Sequence, residues 1–91
     1  MIDGLRVFSL SPHVSFQKLG TGEGAVVLTL HSGQLHTCND TTAAFLSVLD
    51  GKRTFDMVTA LLEQEFEVAR EELRGDLDAL ASRLLQEGVI V

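Results

Sequence analysis

His31, His36 and Cys38 are the side chains here best suited to making bonds, and they lie close together in the sequence. Imidazole and thiol together could ligate zinc or form a nucleophile–base pair. A zinc site needs three or four convergent ligands and groups that hold them in place. This chain has one Cys and no His-x-x-x-His pair on a helical stretch. A Cys–His nucleophile needs the thiolate beside the imidazole. His36 and Cys38, as same-face neighbours on one strand, stand about 7 Å apart, beyond direct reach for most rotamers. Cys38 therefore reads as a small apolar side chain. The run Gly20-Thr21-Gly22-Glu23-Gly24 lacks the Gly-x-x-x-x-Gly-Lys-Ser/Thr order of a phosphate cradle, and no helical pattern follows it. It reads as a loop. No metal, cofactor or catalytic group is expected.

What remains is main-chain chemistry, and the elements around the histidines position it. Val26 to Leu30 is β-branched and apolar, a buried strand. His31-Ser32-Gly33 supplies a turn, and Gln34 to Cys38 returns as the partner strand. Alternation puts Leu35 and Thr37 on one face, and Gln34, His36 and Cys38 on the other. Upstream, Arg6 to Leu10 and Val14 to Leu19 alternate in the manner of strands, broken at Ser11-Pro12 because Pro cannot donate to a ladder. Downstream, Asn39 or Asp40 caps a first helix whose apolar face is Ala44, Phe45, Val48 and Leu49, with Gly51 at its end. Thr54 caps a second, with Val58, Leu61, Leu62 and Phe66 as core. A third begins near Arg70, carries Leu73, Leu77, Leu80 and Leu84 in one stripe, and ends at Gly88. Val89-Ile90-Val91 then packs or pairs at the terminus.

This order of elements predicts an α+β fold in one domain over residues 1–91, with strands at about 5–38 and helices at about 40–87. If the returning strand lies at a sheet edge, its outer N–H and C=O groups are open to an added strand. The expected class is a peptide-binding module, not an enzyme.

Composition narrows the partners. The 91 residues carry a formal charge of −6, with five Phe and no Tyr or Trp. Such a chain repels phosphate backbones and offers few stacking platforms for bases. No stretch is apolar for the roughly 18 residues that a membrane span requires. No secretory signal is legible at the N-terminus, so a cytoplasmic protein is expected.

From the hairpin onward the sequence resembles the PqqD-like proteins, also called RiPP recognition elements. The resemblance rests on the order and spacing of Val26–Leu30, Ser32-Gly33, Cys38-Asn39, Thr41-Thr42-Ala43, Asp50-Gly51, Thr54, Glu65-Phe66-Glu67-Val68, and Leu73 through Leu84, closing at Gly88-Val89-Ile90. It covers about three-quarters of the chain. It implies a winged-helix-like fold with an N-terminal three-stranded antiparallel sheet followed by three helices. It also implies a function: binding the leader segment of a ribosomally made precursor peptide by strand addition. The leader is then presented to a maturation enzyme, such as a radical-SAM enzyme or a leader peptidase, in PQQ, lasso-peptide or related biosynthesis. The chain departs from the pattern at four places. Leu35 and His36 stand where aromatics are frequent, Cys38 where Leu is usual, Ala69 where an acidic cap is expected, and Met57 where Glu is common.

Under that resemblance Gln34, Leu35, His36, Thr37 and Cys38 are the strand that receives the leader. Leu80 and Leu84 contact leader side chains, and Asp76 and Arg83 fix its register by charge. The competing reading makes the leucines plain core and the charges a solvated face. Two other functions compete. A winged-helix DNA-binding regulator needs basic or amide side chains on its recognition helix. The second helix, FDMVTALLEQEF, has no basic residue, and the third has only Arg70, Arg74 and Arg83 among many acids. An adaptor binding a folded protein through the leucine helix is the other. An open edge also permits a strand-exchanged homodimer.

Overall fold

The computed structural model describes residues 2–20, 23–30 and 32–91. Thr21 and Gly22 of the expected glycine loop, and His31 of the expected turn, lie outside the described residues. Three antiparallel strands, β1 (Val14–Lys18), β2 (Ala25–Thr29) and β3 (Gln34–Cys38), form a sheet in that spatial order. Three helices follow, α1 (Asp40–Ser47), α2 (Phe55–Phe66) and α3 (Arg70–Gln86).

Strand alternation divides the sheet into a buried and an open face. Val27 pairs across with Phe16 on one side and His36 on the other. Val27 and Ala25 are fully buried, and Val14, Phe16 and Cys38 pack against the same core. Leu28 pairs with Ser15 and Leu35 on the opposite face, where Leu35 is 64% exposed. Gly24, just before β2, has φ +73°, and an added Cβ would meet the Cys38 carbonyl oxygen at 2.0 Å. Only a glycine lets the start of β2 pass so near the end of β3.

The helix starts are those expected. The Asn39 side chain accepts from the Thr42 amide at 2.9 Å, and the Thr54 hydroxyl accepts from the Met57 amide at 3.2 Å. Each such cap contributes about 1 kcal/mol. Ala69 offers no side-chain bond to α3. Between α1 and α2 the Asp50 carboxylate accepts from the Arg53 and Lys52 amides, which hold its pKa below the usual carboxylate value.

Two expectations are corrected. Leu61 is 39% exposed, because Phe55, Val58, Thr59 and Leu62 take the inward stripe of α2. At about 100° per residue, Leu61 falls well to one side of that stripe. Arg6 to Leu10 is not a strand of the sheet. Its pairing is confined to single bridges, Val7 with Thr54 and Leu10 with Ile90. Ser9 and Val91 exchange main-chain bonds, and the Ser11 amide donates to the Val89 carbonyl, so the alternating N-terminal segment ties down the C-terminal one. Phe8, 1% exposed, sets its ring edge-on to Phe55 at 6.0 Å. The Ile2 amide donates to Asp78 of α3 at 2.8 Å, and Arg74 pairs with Asp56 while lying over the Phe55 ring. Together these bonds strap the N-terminal arm across α2 and α3.

Candidate functional site

The pairing pattern shows which main-chain groups β3 leaves open. In an antiparallel ladder, opposed residues alternate between those that exchange hydrogen bonds and those that do not. At the two ends of the β1–β2 ladder, the Leu30 amide donates to His13 and the Leu19 amide to Gly24. With Ser15 opposite Leu28 and Gln17 opposite Val26, alternation gives those pairs the bonds within the ladder. The main-chain groups of Ala25, Val27 and Thr29 therefore turn toward β3, where they meet Cys38, His36 and Gln34. It follows that Leu35 and Thr37 direct their N–H and C=O groups away from β2. No described strand lies on that side.

Beside this edge runs an open groove of about 600 Å³, lined by both sheet and helix. Its floor is apolar: Val27, Leu84 and Val89, all buried. On the sheet side stand Gln34, His36 and Cys38; on the helix side Arg83 and Glu87, with Asn39 and Thr42 also in the lining. Burial pushes the Cys38 thiol above its ordinary pKa; Arg83 opposes the rise and Glu87 reinforces it. Both charges of α3 thus act on the last residue of β3. The groove suits an extended chain whose backbone pairs with β3 and whose inward side chains meet a small apolar floor between polar walls.

Of the candidate residues, Gln34, His36, Thr37, Cys38, Arg83 and Leu84 come together in this lining. Leu35 contributes its outward main-chain groups, while its side chain lies on the opposite, open face of the sheet. Leu80 is half-buried and packs against the core, and exposed Asp76 lies about 10 Å before Arg83 along α3. Neither lines the groove. Glu87 is a lining residue absent from the sequence-based candidates, although its place four residues after Arg83 on the same flank is a usable signal. Val89 and Val27 carry no signal in the sequence, because their presence depends on how terminus and sheet fold back together.

An open strand edge beside a helix-walled groove, on three antiparallel strands and three helices, defines a small strand-accepting binding domain. The chain belongs to the PqqD family: the family described as Coenzyme PQQ synthesis protein D (PqqD) matches residues 24–90. The matched region begins at the hairpin, as the sequence resemblance does. No curated protein matches the chain in sequence. Several solved structures share the fold. A lasso peptide synthetase B1 complexed with its leader peptide is 29% identical, with TM-score 0.79, over 94% of this chain and 99% of that one. TbiB1 in complex with the TbiA(beta) leader peptide is 17% identical, with TM-score 0.79, over 90% and 93%. The PqqD truncation of Methylobacterium extorquens PqqCD, described as a functional and stand-alone RiPP recognition element, is 20% identical, with TM-score 0.80, over 100% and 95%.

Proposed function

We propose that this protein binds the leader segment of a ribosomally synthesised precursor peptide as a fourth strand on β3, and presents it to a modifying enzyme or leader protease. The observation that carries the reading is the outward row of main-chain groups at Leu35 and Thr37, set beside a groove walled by α3. Backbone pairing supplies affinity with little demand on sequence, and the groove reads every second side chain. Gln34, His36, Cys38, Arg83 and Leu84 meet the leader's inward side chains, and Leu35 flanks it on the outer face. Asp76 and Leu80 meet only a leader that extends past Arg83 toward the start of α3. The domain binds and does no chemistry of its own, and works in the cytoplasm. No helix among the described residues is long and apolar enough to cross a membrane. Family membership and the leader-peptide complexes of the same fold support this reading, whereas nothing in the geometry of the described residues favours the DNA-binding or folded-adaptor alternatives.

The test is an amide-resolved NMR titration with synthetic leader segments of ribosomally synthesised precursor peptides. Saturable shifts are expected along Gln34 to Cys38 and over the last turns of α3. A titration that moves neither region refutes the reading.

A further inference from the structure

Arg83 and Glu87 close the helix side of the groove, four residues apart at the C-terminal end of α3. Their Nε–Oε1 separation is 3.6 Å, and the side chains are 63% and 49% exposed. A loose pair of this kind contributes little to stability, and water screens both charges. Apart from His36, the other groove-lining side chains are uncharged. The opposed effects of Arg83 and Glu87 on the Cys38 thiol place both within electrostatic reach of β3.

A strand seated on Leu35 and Thr37 covers this wall and displaces its water. The covered charges then gain from counter-charges on the guest, because a single loose contact at 3.6 Å compensates two desolvated charges only in part. Helix residues four apart hold their Cβ atoms about 5–6 Å from each other. Same-side residues of a strand, two apart, repeat at about 6.6 Å. For a guest running along the α3 axis, the two spacings match closely enough for consecutive inward side chains to answer both charges.

Building on the leader-binding reading, we propose that the groove selects extended peptides bearing one acidic and one basic side chain two residues apart, the acid against Arg83 and the base against Glu87. The guest's order of charges then reports the direction in which it runs along β3, since reversing the strand reverses the order.

The test selects a phage-displayed library of random peptides on the full chain and on the double variant Arg83→Glu/Glu87→Arg. Both positions are exposed, and the exchanged pair can re-form, so the variant's amide spectrum should show the same fold. The wild-type pool is expected to be enriched in opposite charges at i and i+2, and the variant pool in the reversed order. Synthetic peptides from each pool should bind their own protein about tenfold more tightly than the other. Pools with the same charge statistics overturn the inference. If the selected peptides still shift β3 amides in that case, leader binding stands and only the charge rule falls. If they leave β3 unmoved, the charge rule falls and the leader titration decides the binding reading by itself.

Discussion

Replacing Thr37 by proline tests the strand-accepting edge with one atom group. Thr37 and Leu35 point their N–H and C=O groups away from β2, so a guest strand gains up to four ladder bonds from these two residues. Thr37→Pro removes one outward donor and leaves a guest carbonyl facing a ring instead of an N–H. The lost bond and the stranded acceptor together cost about 1–3 kcal/mol. That is roughly a 5- to 150-fold rise in Kd. The fold should survive, because proline is tolerated on the edge side of a strand where its missing N–H faces solvent. His36→Pro is the contrasting variant. His36 lies opposite Val27 in a bonded pair, so proline there breaks the β2–β3 ladder and should lower Tm sharply. Calorimetric titration with a leader peptide that binds the wild-type protein gives the affinities, and amide spectra report folding. A folded Thr37→Pro protein that binds as tightly as wild type refutes strand addition at this edge. A His36→Pro protein as stable as Thr37→Pro shows that the two rows have been assigned the wrong way round.

Three further outcomes are expected. Burial raises the Cys38 thiol pKa, so alkylation at neutral pH should be slower than for a free cysteine peptide and slower again with leader bound. Because the folded pKa is the higher one, this group's contribution to stability is full below the unfolded thiol pKa and is lost as pH rises through the folded value. An alkylation rate equal to the free peptide's contradicts that account. Gly24→Ala combines positive φ with a Cβ 2.0 Å from the Cys38 carbonyl, and should cost about 1–3 kcal/mol in denaturant unfolding; a wild-type midpoint contradicts the close approach. Phe8→Ala empties a fully buried site against Phe55 and should cost about 3–5 kcal/mol. It lies outside the family-matched residues, so a thermal melt unchanged by it shows the N-terminal arm to be dispensable.

Local signals in the sequence determined most of the elements. The caps at Asn39 and Thr54, the turn glycines and the leucine repeat each act within a few residues, so element order and type were legible without any tertiary contact. Gln34–Cys38 was bounded as observed for the same reason. Periodicity also placed Asp76, Arg83 and Glu87 on one flank of the leucine stripe of α3. What periodicity reports is an angle about the helix axis, not a height along it. Only the tertiary placement of α3, packed on α2 with its end beside β3, decided that the groove meets the last turns, taking in Arg83 and Glu87 and leaving Asp76 behind. Alternation likewise marked two faces on Arg6–Leu10 but named no partner, and the folded chain pairs that segment with its own C-terminus. The open edge itself is tertiary. A strand's sequence shows which side chains share a face, whereas the direction of its N–H and C=O groups depends on which neighbour it pairs with and in what register.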